Sequence, residues 1–288
     1  MGKAAMVKSE ERSVTQAAPG AMPAFLGGVE MSGKGVSTDA KDVLIPMARI
    51  LQKNSPQVER RGADYVPGAE AGKIFIKNAP KQILDGDEGF LFQPCHFTQG
   101  VVEWIDRNKG GGGGQGFVAL HKTMPTDAVS TPHPLDPSRF QMTRPNGNVC
   151  IDTRYHAGFI IADGATPMPC VIPFSSTGHS VSRQWMFLMT QKVNGGRIVD
   201  SWCVLYRFKT KLRSKGSNTW FVFDVSDAGP EVNGLHETMW IQTLEDYERG
   251  RALNAALESG EQKIDLGDGP VDEGAGAGAG ASEDPSRF

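Results

Sequence analysis

The stretch from Trp202 to Lys215 alternates between two kinds of side chain. Its even positions form an apolar-leaning series (Trp202, Val204, Tyr206, Phe208, Thr210, Leu212, Ser214). Its odd positions run from Cys203 and Leu205 into five consecutive cations: Arg207, Lys209, Lys211, Arg213 and Lys215. Because strand side chains point alternately to the two faces of a sheet, this period of two predicts a β-strand with an apolar face toward the core and a cationic face outward.

Strand-like segments recur along the chain and predict a mainly β protein. The predicted strands cover 73–77, 89–97, 101–106, 116–120, 153–162, 169–175, 200–213 and 219–226. The chain also has 35 Gly and 18 Pro among 288 residues, against an average of about 12% for the two together, which argues against a helical bundle.

Two helices are predicted among these strands. The first covers 179–191, with Val181, Trp185 and Leu188 at helical spacing and the pair Gly195-Gly196 as its stop. The second covers 244–259, begins after Thr243 with Asp246 three residues on, and ends at Gly260. A helix placed before the last two strands is the order of an OB-fold, so we expect a β-barrel that is OB-fold-like with additions.

The chain divides into three parts by composition. Residues 1–40 predict a disordered N-terminal arm, residues 41–260 a β-rich, OB-like nucleic-acid-binding body, and residues 261–288 a disordered acidic tail. The tail holds seven acidic and two basic residues, so it carries −5 while the whole chain carries −3. The body is therefore mildly basic, and an acidic tail can cover a cationic surface until a stronger polyanion displaces it.

Several function classes find no support in the sequence. No apolar run reaches the ~20 residues that span a bilayer, and the N-terminus lacks the apolar core of a secretory signal. The four cysteines, at 95, 150, 170 and 203, form no CxxC pair and predict buried free thiols rather than a metal site. Residues 28–35 match GxxxxGK but lack the Ser or Thr that a P-loop needs. We expect a cytoplasmic protein that has no membrane partner, is not an enzyme and has no metal or other cofactor.

The cationic strand is the main candidate for a binding site. Five neighbouring cations repel one another, and a polyphosphate would neutralise them and release counterions. The next predicted strand brings Trp220, Phe221 and Phe223 beside them as a stacking surface for bases. The alternative is a solvated edge strand whose lysines prevent aggregation.

Further candidates for nucleic-acid contacts lie outside this hairpin. Trp104, Arg107 and Lys109 precede the glycine run Gly110–Gly114, which either approaches a ligand or is only a flexible connection. Arg154 and Tyr155 form a second group, although Tyr155 is equally placed for the core. On the first helix, Arg183 is a surface charge of use to a ligand, while Trp185 is expected in the core.

Several segments of the chain resemble tailed-bacteriophage proteins of the single-stranded DNA-binding and replication-accessory kind. There are four such segments. The first is 42–52 together with Ser55-Pro56, and the second is Lys109 together with the glycine run and 116–119. The third is 152–156, and the fourth extends from 175–177 to 182–185. The resemblance implies a phage protein with an OB-type barrel that works in the cytoplasm of the host.

The C-terminal tail also resembles those of phage and bacterial single-stranded DNA-binding proteins, which are acidic and close with an aromatic residue. The residues that carry this likeness are Asp272, Glu273, Glu283, Asp284 and Phe288, whereas Arg287 departs from the pattern. Such a tail implies docking onto phage or host replication proteins. The alternative is an inert solubilising tail.

Together these features predict a sequence-tolerant single-stranded DNA-binding protein that protects and organises single strands in phage replication or recombination, and that is compatible with a homo-oligomer. Two alternatives remain open. One is a single-strand annealing recombinase, and the other is a virion structural or decoration protein.

Overall fold

A computed structural model of the chain describes residues 45–62, 64–77, 79, 82–105, 116–134, 136–161, 166–216 and 218–262. The predicted arm 1–40 and almost all of the predicted tail 261–288 lie outside the described residues, and so does the glycine run.

The described chain contains sixteen strands and two α-helices. The strands of the first half are β1 (Ala48–Ile50), β2 (Ile74–Ile76), β3 (Ile83–Leu84), β4 (Phe90–Trp104), β5 (Phe117–His121), β6 (Val129–His133), β7 (Asp136–Thr143) and β8 (Val149–Ile161). The second half contains β9 (Met168–Ser175), α1 (Gly178–Thr190), β10 (Val193–Asn194), β11 (Arg197–Ile198), β12 (Val204–Lys215), β13 (Asn218–Asp227), β14 (Glu231–Val232), β15 (Leu235–His236), β16 (Met239–Trp240) and α2 (Leu244–Glu258). Two short 3-10 helices cover Pro56–Val58 and Ser201–Cys203.

The long antiparallel pair of β4 and β8 forms the centre of the main sheet. The strand order of this sheet is β13-β12-β4-β8-β7-β6. In addition, β5 pairs with β4, β9 with β8 and β16 with β12. The pairing of β4 with β8 extends from Leu91↔Ile161 to Trp104↔Val149. The two segments predicted at 89–97 and 101–106 are thus one strand, because Gly100 keeps its place opposite Thr153 in the ladder.

A bulge bends this central pair at a proline. The register of β4 shifts between Pro94 and His96, as expected where proline cannot donate a hydrogen bond to the ladder. Opposite Pro94 lies Gly158, where an added Cβ would stand 2.0 Å from the carbonyl oxygen of Gln93. The close approach of the two backbones therefore requires glycine at position 158.

One helix packs against each face of the sheet. Phe159 and Ile160, adjacent on β8, belong to two different apolar clusters. Because neighbouring strand residues point to opposite faces, the clusters lie on opposite sides of the sheet. Trp185 of α1 is completely buried in one cluster, and Leu253 of α2 is buried in the other.

The predicted class, mainly β with two helices, is confirmed, but the sheet does not close. Within the described residues, β13 and β6 remain the two ends of the pairing path, so the sheet forms no closed barrel and the OB-fold detail of the prediction is not confirmed. The physical reason is that α1 and α2 cover the two apolar faces, so the sheet need not curl on itself to bury them.

The second predicted helix begins as expected. The Thr243 hydroxyl oxygen accepts the Asp246 N–H at 3.1 Å, and that hydroxyl donates to the Asp246 carboxylate at 2.7 Å. The first helix ends at Thr190, earlier than the predicted glycine stop. Gly195 and Gly196, at φ of +58° and +76°, instead form the turn between β10 and β11, because glycine tolerates the left-handed conformation that tight hairpin turns need.

A buried carboxylate ties one end of the sheet together. Glu103 of β4 is 1% exposed and contacts His121 at 2.7 Å, Arg144 at 2.8 Å, Asn148 at 2.6 Å and Asn146 at 3.4 Å. Burial alone would raise the pKa of Glu103, but these hydrogen bonds outweigh it and lower the pKa to about 2. The charge therefore stabilises the fold.

All four cysteines are free, with Cys95, Cys150 and Cys170 buried and Cys203 partly buried. Among the residues that the structure describes, no helix combines the length and apolar character needed to cross a membrane.

Candidate nucleic-acid interface

The hairpin of β12 and β13 places the predicted cations together on one face. Its register runs from Tyr206↔Asp227 to Lys215↔Asn218 without a break. Residues directly opposite in an antiparallel pair share a face. The cations Arg207, Lys209, Lys211 and Arg213 therefore lie beside Ser226, Asp224, Val222 and Trp220, respectively.

This cationic face, which we define as Arg207, Lys209, Lys211 and Arg213, is exposed and lacks close counter-ions. Arg207 is half-buried and the other three side chains are exposed. Asp224 stands opposite Lys209 in the register. In the part of the chain that the structure describes, however, no carboxylate comes within 4.0 Å of any of the four cations. Their mutual repulsion is therefore left for solvent ions or a ligand to relieve.

The outer half of the hairpin projects from the body. β4 pairs with β12 only at Tyr206–Phe208. On β12 the outermost contact with the body is Thr210, whose N–H donates to the Gly86 carbonyl at 2.8 Å and whose hydroxyl donates to the Gly72 carbonyl at 2.6 Å. On β13 it is Phe221, opposite Leu212, whose backbone pairs with the Gln52 side chain. Leu212 itself is 55% exposed. The predicted apolar ridge is therefore buried from Val204 to Phe208 and ends there, because among the described residues no strand or helix covers the tip.

Of the three aromatic residues predicted beside the cations, one shares their face. Trp220 is half-buried opposite Arg213. Phe221 and Phe223 point to the other face, where Phe223 is 6% exposed and packs in the core. Trp220 is thus the aromatic side chain of the hairpin placed to meet a ligand of the cationic face.

Trp104 and Tyr155, both predicted as nucleic-acid contacts, are buried, and for Tyr155 this is the core position that the sequence left open. They are 6% and 4% exposed and belong to one apolar cluster. Burial raises the pKa of Tyr155 to about 12. The physical reason is that strand side chains alternate between the two faces of a sheet, which places Tyr155 on the same face as Ala157 and Phe159. Helix α2 packs against that face.

The two buried aromatic residues nevertheless line a cavity beside the hairpin. This cavity has a volume of about 160 Å³, and Arg49, Phe221 and Phe223 also contribute to its wall. The structure thus brings Trp104, Tyr155 and strand β13 to one place, although these residues are far apart in sequence.

Arg154 and Arg183 form a second basic group near the start of α1. Arg154 is half-buried on β8, while Arg183 is exposed on α1. Both act on His179, whose pKa is lowered first by burial and further by the two guanidinium charges, against the opposing effect of Asp152. The two arginines predicted separately therefore both lie near His179.

Other predicted residues fall outside what the structure describes. Arg107, Lys109 and the tail residues Asp272, Glu273, Glu283, Asp284 and Phe288 are among them. Lys215 is described only as part of β12, paired with Asn218.

Most residues of the cavity wall were not predicted as site residues, and two of them carry functional side chains that bear on a ligand. Arg49 of β1 and the nearby Gln52 both line the cavity. The available signal was Arg49 itself, a charged residue between Ala48 and Ile50 in an otherwise apolar segment.

Comparison with known proteins gives a family but no closer relative. No curated protein and no solved structure matches the chain significantly. The model of the Pam3 phage gp34-like protein family matches residues 13–263. Since that match covers most of the chain, the protein belongs to the Pam3 phage gp34-like family of bacteriophage proteins.

Proposed function

We propose that this protein binds single-stranded DNA with little sequence preference and supports phage replication or recombination without catalysing a reaction. The observation that carries the proposal is the cationic face: four side chains in one row, on a projecting hairpin, without a close carboxylate among the described residues. Its place of action would be the cytoplasm of the host cell.

The chemistry of the cationic face favours a polyanion over a small anion. Successive odd positions on a strand are separated by about 6.5–7 Å, so the row spans several phosphates of an extended nucleic acid. Each phosphate that is neutralised releases counterions, which supplies affinity without sequence information.

The neighbouring aromatic residues favour a single strand over a duplex. Trp220 lies opposite Arg213 on the same face, and the adjoining cavity is lined by Trp104, Tyr155 and Phe221. Bases of a single strand are free to meet aromatic rings, and each such contact contributes about 1–3 kcal/mol. In a duplex the same faces are already stacked.

The proposal is tested by fluorescence titration of the full chain with a labelled oligo-dT and its duplex counterpart, at ~50 mM and ~200 mM salt. We expect a strong preference for the single strand. Four phosphate contacts predict a loss of roughly 50-fold in affinity between the two salt concentrations. Absence of binding at both concentrations would reject the proposal.

The acidic tail would act in the same process. We propose that it competes with DNA for the cationic face and that Phe288 docks onto phage or host replication proteins.

A virion structural role is the second candidate, favoured by a different hairpin. β6 and β7 pair over Val129–Thr143, but only Met142 and Thr143 pair onward with β8. On this hairpin Phe140 is 68% exposed and Val129 is 59% exposed. Exposed apolar side chains on a projecting arm are typical of assembly contacts. Concentration-dependent self-assembly without affinity for DNA would favour this candidate.

A further inference from the structure

The cavity at the base of the β12–β13 hairpin has the features of a ligand site. It lies where β1, the ends of β4 and β8, the junction of β9 and α1, and β13 meet. Five aromatic residues are among those that line it: Trp104, Tyr155, Phe174, Phe221 and Phe223. A mostly apolar concave space with a few polar groups is the usual form of a small-ligand pocket.

One side of the cavity is cationic. Arg49 is half-buried, and within the described chain its one hydrogen-bond partner is the thioether of Met47, with Nη2 3.7 Å from Sδ. A thioether is a weak acceptor, so the guanidinium retains most of its capacity to bind an anion. The start of α1 at Gly178 also lines the cavity, and its first turn carries no acidic residue. The helix dipole therefore adds to the positive potential there.

Trp104 supplies part of the apolar wall. It is 6% exposed and lines the cavity, and an indole ring offers a flat face on which a base can stack.

The cavity adjoins the cationic face at one position of the hairpin. Val222 lines the cavity and lies directly opposite Lys211 in the hairpin register. A strand whose phosphates follow the cations from Arg213 toward Arg207 therefore passes the cavity. A flat ring with a nearby anion matches its aromatic residues and Arg49.

We propose that the cavity holds one unstacked base of the bound single strand, with a neighbouring phosphate on Arg49. This inference rests on the proposed function and adds to it a specific base subsite. Removing a base from its neighbours costs least in a single strand, so the subsite would also strengthen the preference for single strands over duplex.

The test compares oligo-dT with an abasic oligomer of equal length, using the full chain and two variants. Ser175→Trp places an indole at the cavity wall, and Thr190→Trp places the same side chain at the exposed end of α1. We expect Ser175→Trp to weaken binding of oligo-dT by about tenfold while leaving the abasic oligomer unchanged. Thr190→Trp should bind both oligomers like the unmodified chain.

The outcomes separate the subsite from the function. If neither oligomer binds the unmodified chain, both proposals fail. If the unmodified chain binds the two oligomers equally, DNA binding stands and the base subsite is rejected. An equal loss of affinity for both oligomers in Ser175→Trp also rejects it, because blocking a base subsite leaves phosphate contacts in place.

A second measurement avoids any mutation. Photocrosslinking of the unmodified chain to an oligomer containing 5-iododeoxyuridine, followed by mass spectrometry, locates the bases. Adducts on Trp104, Tyr155 or Phe221 support the subsite. Adducts confined to other residues, such as Trp220 or Trp240, overturn it.

Discussion

The side-chain amide of Gln52 pairs with the backbone of Phe221 as another strand would. Its Nε2 donates to the Phe221 carbonyl at 2.9 Å, and its Oε1 accepts the Phe221 N–H at 2.9 Å. Gln52 is 8% exposed. One side chain from the segment after β1 thus covers part of the outer edge of β13 and holds that strand against the body at the position opposite Leu212.

Replacing Gln52 by Leu removes both hydrogen bonds while nearly keeping the volume. We expect the free energy of unfolding to fall by about 1–3 kcal/mol, because the polar groups of Phe221 lose their partners. Urea unfolding measures the change. The exposed Gln184→Leu is the matched control, and an equally small change in both variants would contradict a role for the amide pairing.

The cationic face should account for most of the salt dependence of DNA binding. In the triple variant Lys209→Gln, Lys211→Gln and Arg213→Gln, three phosphate contacts are lost. We expect the slope of log affinity against log salt for oligo-dT to flatten by about 2. Titrations at four salt concentrations measure the slope.

The control for this variant removes the same amount of charge elsewhere. Lys53, Arg60 and Arg61 are exposed cations outside the hairpin, and their replacement by Gln should leave the slope near that of the unmodified chain. A hairpin variant that titrates like the unmodified chain would place the DNA site on another surface.

Removal of residues 261–288 should strengthen DNA binding at low salt. The segment carries −5, so its loss removes a competitor for the cationic face. We expect a gain of several-fold in affinity at ~50 mM salt and a smaller gain at ~200 mM, because salt screens the competition. A chain with a neutral Gly/Ser tail of equal length should behave like the truncated one. Unchanged or weaker binding would argue against competition by the tail.

Glu103 should make stability depend on acidic pH. Its pKa of about 2 in the folded chain lies below the ~4.3 of an unfolded glutamate. The stabilisation is therefore fully present above about pH 4.5 and is lost as the pH falls toward 2. Its size is roughly 2–3 kcal/mol.

The variant Glu103→Gln isolates this effect. We expect the difference in unfolding free energy between the unmodified chain and the variant to shrink between pH 6 and pH 3, measured by urea unfolding. Glu237→Gln, at an exposed position, should show no such trend. A difference that stays constant with pH would mean that the Glu103 charge contributes nothing.

Local patterns in the sequence predicted most of the individual elements. The alternation with a period of two predicted β12, and the pair Thr243 and Asp246 predicted the start of α2 to within one residue. These patterns succeed because they depend on neighbours in the chain: strand parity and helix capping need no knowledge of the rest of the fold.

The sequence did not predict the elements whose role depends on distant partners. β6 and β7 contain prolines at 132 and 137, which argue against strands, yet they pair as a projecting hairpin. The sequence also contained no sign of the cavity. Four residues that line it are far apart along the chain, and only the order of the strands brings them together: Arg49, Trp104, Tyr155 and Phe221.

Sequence alone determined that the chain is mainly β, that five cations share one strand and that an acidic segment follows the second helix. Those properties depend on composition and on the two-residue period of a strand. Tertiary structure decided that the sheet stays open, that Trp104 and Tyr155 are buried, and that the hairpin tip projects beyond Thr210. Each of these depends on which distant element covers a given face, and burial is a property of the packed fold rather than of a local segment.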